Sequence, residues 1–397
     1  MSSPNTDGVV SQVGREYLRL HLARDIGPIL SSRLIEHFGS PTVVLAASKA
    51  ELEHVNGIGR RGAESIIRAR DDTAADREIE RAEETGARII CIKDADYPAL
   101  LRNITDPPTC IYVRGLLEPT DAVAIAIVGT RRCSHYGREQ AIRFGRALGS
   151  AGFTVVSGLA RGIDGDAHRG ALQGGGRTIA VLGGGLAIIY PREHESLADE
   201  IAAGHGAVIS EYRIDAEPEG RNFPSRNRII TGLSLGVLVI EAGKRSGALI
   251  TARLASEYNR EVFAIPGRVD QPELTAGVHR LIRESQAKLV TCLDDILDEF
   301  SEVGEIMHPD RTSGDRAGGD RKGEEDSTPV TLPKLTAPER AVFEAVANGI
   351  EDAERIRAIA RLSMGQVTST LTALQLKGLV TSLPGNRFVR RTPEHRL

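Results

Sequence analysis

Three short blocks constrain this 397-residue chain more than any other feature, because each lies where an apolar run changes into a helical pattern. They begin at Val128, Ser157 and Asn222 and read VGTRRCSHYG, SGLARGIDGDAHRGAL and NFPSRNRIITGLS. Each block places glycine or small hydroxyl residues near arginine. Glycine lets backbone N–H groups approach an anion closely, and the helix that follows adds the positive end of its dipole. The three blocks together therefore predict a site for a phosphate-bearing ligand on one α/β frame.

Residues 89–300 with their immediate flanks carry nine apolar runs, several of them separated by helical patterns. The runs are ARIICI, TCIYV, AVAIAIV, FTVVS, TIAVLG, GAVIS, GVLVIEA, EVFAIP and AKLV. Most are continuously hydrophobic, which is typical of parallel strands that are covered on both faces. The pattern predicts an α/β domain built on a doubly wound, Rossmann-like parallel sheet. The glycine and hydroxyl residues of the three blocks follow strand ends, at the edge where open α/β sheets bind ligands.

The segments on either side of this domain have different textures. Residues 1–88 read as short helices, which predicts a small SAM-like or helix-hairpin-helix domain with a net charge of −2. Its turn VNGIGRRG either offers backbone N–H groups to a nucleic-acid phosphate or connects two core helices, and the sequence leaves both open. Residues 301–330 are polar and predict a flexible linker. Residues 331–397, with a net charge of +4, predict a winged helix that contacts either DNA or protein.

The gross composition excludes several classes of protein. No apolar run approaches the ~18 residues needed to cross a bilayer, and the start MSSPNTDG is not a signal peptide, so we expect a cytoplasmic protein with no membrane partner. The four cysteines show no CxxC or Cys/His spacing, so we expect no metal and no disulfide framework. With no Trp, 7 Tyr and 8 Phe, and no block that interleaves aromatic with basic residues, we expect phosphate contacts to outweigh base stacking.

The three blocks, together with YPALLRNITDPPTCIYVRG, TIAVLGGGL and EAGKRSGALITARLASEYNREVFAIPG, resemble the DprA/Smf family of DNA-processing proteins in order across the α/β domain. The predicted flanking domains also look like those of that family. The resemblance implies a single-stranded DNA-binding protein that protects incoming DNA. It further implies a homodimer that loads the RecA recombinase during natural transformation, with no catalytic step and no cofactor.

The resemblance and the strand-end positions together assign DNA or phosphate contacts to a set of loop residues. The set is Gly129, Thr130, Arg131, Ser157, Gly158, Arg161, Gly162, Gly183, Gly184, Arg192, Arg226, Asn227, Arg228, Ser246 and Gly247. The chain departs from the family at GVHRLIRESQA, where a Gly-x-Asn-x-Leu-Ile pattern ending in Gly-Ala is usual. His279, Ser285 and Gln286 occupy this stretch, so the resemblance does not predict its local geometry.

A second hypothesis is an enzyme or sensor that acts on a free nucleotide, since the α/β domain also resembles the LOG phosphoribohydrolases. Glu241, Asp164 and Asp166 are then candidate acids and His168 a candidate proton carrier. Each acid also has a structural interpretation: Asp164 as the N-cap of a helix beginning at Gly165, and Glu241 as an acceptor for backbone N–H groups or an arginine. No Gly-x-Ser-x-Gly elbow or Walker motif is present, so we expect a binding protein and not an enzyme.

Overall fold

The computed structural model describes residues 9–71, 73–300, 335–350, 352–376, 379–383 and 387–390. These residues group into two compact units, one within Met1–Thr291 and the other within Cys292–Leu397. The predicted linker at 301–330 lies outside the described residues. The domain boundaries at residues 88, 300 and 330 therefore remain predictions.

A nine-stranded sheet forms the centre of the first unit. Its strands are β1 (Ala87–Cys91), β2 (Cys110–Gly115), β3 (Ala124–Val128), β4 (Thr154–Ser157), β5 (Thr178–Val181), β6 (Gly206–Ser210), β7 (Gly236–Val239), β8 (Glu261–Ala264) and β9 (Lys288–Leu289). Their order is β1-β2-β6-β5-β4-β3-β7-β8-β9. The chain runs outward from β3 through β4, β5 and β6, then returns to add β7 beside β3. The β3/β7 pair is therefore the switch point of a doubly wound sheet.

Each of the nine apolar runs contains one strand, so the predicted doubly wound α/β fold is confirmed. The sheet is parallel from β6 through β9, but β1 and β2 extend it in antiparallel pairings, β1 with β2 and β2 with β6. The apolar runs could not show this difference, because strand hydrophobicity reports burial and not direction. The connection between β1 and β2 contains only one single-turn helix, whereas parallel neighbours normally need a longer crossover.

Helices precede the sheet and alternate with its strands. They are α1 (Gln12–Leu22), α2 (Pro28–Phe38), α3 (Pro41–Ala46), α4 (Lys49–Glu53), α5 (Arg60–Asp71), α6 (Ala74–Glu84), α7 (Ala99–Arg102), α8 (His135–Ser150), α9 (Ile163–Gln173), α10 (Glu195–Glu200), α11 (Asn222–Gly232), α12 (Ala248–Glu257) and α13 (Pro272–Arg283). Short 3-10 turns lie at Pro119–Ala122 and Arg192–His194, and a π-helical stretch at Ile201–His205.

Apolar side chains bury both faces of the sheet. On one face, α1 and α6 contribute Tyr17, Leu18 and Ile79 to a core that includes Tyr112 of β2 and Val208 of β6. The helices α2 to α5 have a separate small core. The predicted N-terminal helices therefore form, and two of them pack directly on the sheet.

The second unit begins with α14 (Asp294–Leu297) and a 3-10 turn at Asp298–Phe300. It continues with α15 (Ala337–Ala347), α16 (Ala353–Ala360) and α17 (Met364–Leu376), followed by the antiparallel pair β10 (Val380–Leu383) and β11 (Arg387–Arg390). Three helices and a two-stranded wing confirm the predicted winged helix. Among the described residues of both units, none of the helices combines the length and apolarity that a bilayer-spanning segment requires.

Helices α8 and α9, which follow the first two glycine blocks, approach each other through glycine. A Cβ at Gly170 would lie 2.4 Å from the Ile142 carbonyl oxygen, and one at Gly145 would lie 2.5 Å from the Ala167 carbonyl oxygen. These distances are far below a normal contact, so the two helices touch backbone to backbone. Their closeness fixes the spacing between the loops that follow β3 and β4.

We expect Gly170→Ala to destabilise the first unit by about 1–3 kcal/mol, because neither backbone can give way to the added methyl group. The better helix propensity of alanine, about 1 kcal/mol, offsets only part of this cost. All seven tyrosines lie between Tyr17 and Tyr258 and the chain has no Trp, so tyrosine fluorescence during urea unfolding reports on this unit alone.

Gly62→Ala in α5 is the matched control for this prediction. Its added Cβ would lie 3.3 Å from the Cδ1 atom of Ile26, the flexible end of a side chain. We expect this variant to be as stable as the wild-type protein or slightly more stable. Equal urea midpoints for Gly170→Ala and the wild-type protein would contradict the packing argument.

Candidate nucleic-acid interface

An open cavity of about 1240 Å³ lies at the switch point, at the carboxyl edge of the sheet. Residues 128–132 at the end of β3 and residues 243–248 after β7 line it, together with Ala160 from the β4–α9 connection and Asp164 from the first turn of α9. Pro218, Gly220 and the first turns of α11 form another wall. We call this space the carboxyl-edge cavity. The three sequence blocks thus converge on one place, as parallel strands require, because their carboxyl ends share one edge.

The loops after β3 and β4 touch each other through their backbones. A Cβ at Gly162 would lie 2.6 Å from the Thr130 carbonyl oxygen, and one at Gly129 would lie 2.5 Å from the side chain of Ile163. Gly162 also has φ +75°, a conformation that favours glycine. The predicted residues Gly129, Thr130 and Gly162 therefore shape the two loops, and Gly129 and Thr130 also line the cavity.

Four exposed cationic side chains line the cavity: Arg131, Arg132, Lys244 and Arg245. Within the described part of the chain, none of the four forms a salt bridge. The only exposed carboxylate in the lining is that of Glu273. The cavity therefore presents a clear excess of positive charge that suits a polyanion.

Two aromatic rings form a wall of the cavity. The rings of Tyr190 and Phe223 lie 5.8 Å apart between centroids, and the Arg131 guanidinium lies 4.8 Å from the centre of the Phe223 ring. Tyr190 is 41% exposed. A flat, exposed ring flanked by arginine suits an unpaired base as well as a phosphate. The sequence did not predict this aromatic surface beside the cations.

Arg161 lies beside this wall, with its guanidinium 5.9 Å from the centre of the Tyr190 ring. Its Nη2 donates to Glu193 at 2.9 Å, and the same pair holds the pKa of Glu193 down at about 2. Arg192 is exposed on the 3-10 turn next to Glu193, outside the cavity lining. The structure thus places Arg161 at the cavity margin and Arg192 beyond it.

Arg226 lies in the floor of the cavity and is only 3% exposed. Its Nη1 donates to the carbonyl of Gly158 at 2.8 Å and also to the carbonyl of Val181. Burial lowers the pKa of Arg226 to about 10, and burial likewise raises the pKa of the neighbouring Asp164. The Arg226 guanidinium therefore joins the ends of two strands and does not stand free for a phosphate.

Arg228, two residues further along α11, points away from the cavity. It is 6% exposed, and its guanidinium pairs with the carboxylates of Glu211 and Asp106, the latter at 3.2 Å. The prediction that Arg228 contacts phosphate therefore finds no support in its position. Side chains two residues apart in a helix face different directions, so one α11 could not present both arginines to the cavity.

Other predicted residues support the loops from beneath. Ser157 is fully buried and donates to the Ile127 carbonyl at 2.6 Å. A Cβ at Gly158 would overlap the Arg226 guanidinium, one at Gly183 would lie 2.9 Å from the Phe223 ring, and one at Gly184 would lie 3.1 Å from the Ala216 carbonyl oxygen. These residues set where the cavity walls lie, although none of them lines it.

Three further predicted residues line the cavity itself, namely Asn227, Ser246 and Gly247. Asn227 lies in the second turn of α11 and is partly exposed. Ser246 accepts a hydrogen bond from the Ala248 N–H at 3.3 Å, and Gly247 is the N-cap of α12. The cavity thus receives the start of α12, where the free N–H groups of a helix favour an anion.

None of the candidate acids or bases is free to act on a ligand. Glu241 is 1% exposed and accepts the backbone N–H of Ser134 at 2.9 Å and its hydroxyl, as the structural interpretation required. Asp166 pairs with arginines on α8 and α9. His168 is fully buried beside the Thr178 hydroxyl, and burial lowers its pKa to about 3.

The prediction that Asp164 caps a helix beginning at Gly165 was wrong by two residues. The helix α9 begins at Ile163 with Gly162 as its N-cap, so Asp164 lies in the first turn. There it is held by backbone N–H groups of Gly158 and Ala160. The sequence misplaced the start because a glycine with positive φ, not an aspartate, makes the turn into this helix.

The stretch that departs from the family pattern has an ordinary local explanation. His279 Nε2 donates to the Gly267 carbonyl at 2.9 Å, which fastens the loop after β8 to α13. Ser285 has φ +55°, a left-handed position that follows the end of α13, and the Gln286 N–H donates to the Leu281 carbonyl at 2.8 Å. With these residues the chain still places β9 in the sheet, paired with β8.

Sequence reasoning missed the other exposed cations and the aromatic rings of the lining, namely Arg132, Tyr190, Phe223, Lys244 and Arg245. Each lies within three residues of one that was selected, in RR, YPR, NFPSRNR and EAGKRSG. The signal available was the same strand-end position, applied to cations and aromatics and not to glycine alone. Among the described residues, no cluster of His, Cys, Asp or Glu could hold a metal ion.

The fold and the cavity define a Rossmann-like α/β protein with a basic cavity at its switch point. A family model described as DNA recombination-mediator protein A matches residues 88–301, and a second, described as the DprA winged helix domain, matches residues 326–386. The chain therefore belongs to the DNA recombination-mediator protein A family, which confirms the resemblance seen in the sequence.

Relatives agree with this assignment. The chain is 36% identical to "Protein Smf" of Synechocystis over 93% of this chain and 96% of that protein. It is 46% identical to "DNA processing protein DprA" of Streptococcus pneumoniae over 53% of this chain and 73% of that protein. The X-ray structure of DNA processing protein A from Streptococcus pneumoniae matches with a TM-score of 0.63 and 34% identity, covering 73% of this chain and 98% of that chain.

Substitution of a buried arginine and of an exposed arginine should have different effects on the free energy of unfolding. We expect Arg226→Met to destabilise the first unit by about 3–5 kcal/mol, because it leaves a buried carboxylate and two buried carbonyls without their partner. Arg131→Ala, which removes an exposed side chain, should change stability by no more than about 0.5 kcal/mol. Urea unfolding followed by tyrosine fluorescence measures both. Equal midpoints for the two variants would refute the structural role of Arg226.

Proposed function

We propose that this protein binds single-stranded DNA in the carboxyl-edge cavity and performs no chemical step on it. The observation that carries the proposal is the set of four exposed cations without salt-bridge partners, Arg131, Arg132, Lys244 and Arg245, beside the Tyr190 and Phe223 rings. Cations track the phosphates of a strand, and exposed rings stack on its bases. Duplex DNA offers no unpaired base to such a wall.

The family supports the rest of the proposal. On the resemblance to the DprA/Smf family, we infer that a homodimer loads RecA onto incoming single strands in the cytoplasm. The role in natural transformation follows from the same family membership. The winged helix of the second unit then adds a further contact with DNA or with protein.

The enzyme hypothesis has less support. A phosphoribohydrolase needs an acid or base that reaches the ligand, yet the Glu241 carboxylate is occupied by Ser134 and the His168 ring is buried away from the cavity. Asp164 lines the cavity but is 7% exposed and lies against Arg226. These groups stabilise the loops, and their positions favour binding over catalysis.

We expect Arg131→Ala to weaken binding of a short oligothymidylate by about 1.5–3 kcal/mol, the scale of a hydrogen bond to a charged group. Fluorescence anisotropy of a labelled oligonucleotide measures the change. Arg146→Ala is the matched control, since this exposed arginine lies in the last turns of α8, remote from the carboxyl edge. A folded Arg131→Ala protein that binds like the wild type would remove this residue from the site.

The salt dependence of the binding affinity distinguishes a single-stranded DNA-binding protein from a nucleotide enzyme. If about four to six phosphates of a single strand are engaged, the logarithm of the affinity should fall against the logarithm of the salt concentration with a slope of about −3 to −4. Anisotropy titrations at several salt concentrations give this slope. Tight binding of a mononucleotide with a flat salt response would instead favour the nucleotide enzyme, and base release from nucleoside monophosphates would then be assayed.

A further inference from the structure

We propose that His21 of α1 and Glu78 of α6 are positioning residues for the carboxyl-edge cavity. They hold the β6–α11 loop (residues 211–221), which forms one wall of that cavity. Neither side chain lines the cavity. The inference rests on the proposed function, because its effect is read as affinity for single-stranded DNA. It gives the N-terminal helices a part in binding that requires no contact with the strand.

The β6–α11 loop determines where the aromatic wall lies. Pro218 and Gly220 of this loop line the cavity, and Phe223 follows at the second residue of α11. On its inner side the loop meets the segment after β5, where the Gly185 N–H donates to the Ala216 carbonyl at 2.8 Å. The Ala187 N–H donates to the carbonyl of Ile214, also in the loop, at 3.0 Å. A shift of the loop would therefore move the wall.

The Glu78 side chain holds the loop through a hydrogen bond to the loop backbone. This side chain is fully buried, and its Oε1 accepts the Ile214 N–H at 2.7 Å. Its Oε2 lies 3.6 Å from Nη1 of Arg81 and 3.6 Å from Nε of Arg213, and Arg81 also pairs with Asp215 of the loop at 3.0 Å. A buried carboxylate is costly unless it is paired, so the contacts of Glu78 with Ile214 and Arg213 depend on the position of the loop.

The His21 ring is hydrogen-bonded to the first residue of the loop. Its Nε2 donates to the Glu211 carbonyl at 2.9 Å, and its Nδ1 accepts from the Thr109 hydroxyl at 3.2 Å. Burial lowers the pKa of His21, so the ring is neutral near pH 7 and carries the one donor and one acceptor that these partners require. The loop is therefore held at residues 211 and 214 by two different helices.

The helices that carry these two residues are themselves fixed to the sheet. Leu18 of α1 and Ile79 of α6 belong to the same buried cluster as Leu182, Leu186 and Ile214. Because α1 and α6 are packed on the sheet, their hydrogen bonds to the loop fix the position of the loop relative to the sheet. Binding sites need their walls held to a fraction of an ångström by such supporting contacts.

The test pairs a disruptive with a conservative substitution at each position in the full chain. Glu78→Ala removes the acceptor of the Ile214 N–H, whereas Glu78→Gln keeps an oxygen there. His21→Ala removes the donor to the Glu211 carbonyl, whereas the amide of His21→Gln reaches the place of Nε2. We expect each alanine variant to weaken oligothymidylate binding by about 3- to 30-fold, and each glutamine variant to restore most of the loss.

Hydrogen exchange of residues 211–221 gives a second measurement that does not depend on DNA. The alanine variants should exchange these amides faster than the wild type, and the glutamine variants less so. Asp76→Ala is the control on α6, because this exposed carboxylate pairs with Arg15 at 2.7 Å and does not touch the loop. It should leave both the exchange and the affinity unchanged.

The outcomes separate the two proposals. Unchanged affinity in a folded alanine variant whose loop exchanges faster would overturn the positioning role. Since Glu78 is fully buried, the His21 pair decides the question if Glu78→Ala does not fold. Equal affinity losses in the alanine and glutamine variants would also contradict it. A wild-type protein that does not bind oligothymidylate would refute the proposed function, while the exchange data would still report whether the helices hold the loop.

Discussion

The buried guanidinium of Arg226 is the interaction on which the carboxyl edge of this sheet depends. It ties the carbonyl of Gly158, just past β4, to the carbonyl of Val181 at the end of β5, and it lies against Asp164 of α9. The same side chain anchors α11, so it joins two strands and two helices at one point. A buried cation is tolerated only where every contact is in place, which makes this edge a single geometric unit.

This arrangement divides the arginines of the site into two groups. The guanidinium groups of Arg226 and Arg228 pair with internal carbonyls and carboxylates. Arg131 and Arg132 instead lie on a loop and form no salt bridge within the described residues. Both groups occur in the sequence as arginine beside a glycine or hydroxyl block. Sequence position alone therefore could not separate a buried structural arginine from an exposed one, because the difference is how deeply the side chain is buried in the fold.

The sequence predicted the strands well and their directions only in part. All nine apolar runs became strands because burial on both faces leaves a strong signal, but the antiparallel β1 and β2 differ from the others only in their connections. The place of the site was predictable, since parallel strands share a carboxyl edge. The aromatic wall was not, because Tyr190 and Phe223 are separated by 32 residues. They meet through the Gly183–Phe223 contact and the β6–α11 loop, which only the fold creates.

Under the proposed function, the cavity lining predicts little preference among DNA base sequences. Its cations stand on two separate loops, after β3 and after β7, so under the proposed function they would contact a phosphate backbone and not the edge of one base. The ring wall accepts any unpaired base, because every base has a stacking face. The acids that would confer chemistry on a nucleotide are instead occupied by Ser134, Arg226 and neighbouring N–H groups. The same contacts that hold the loops in place therefore favour the proposed binding over a reaction.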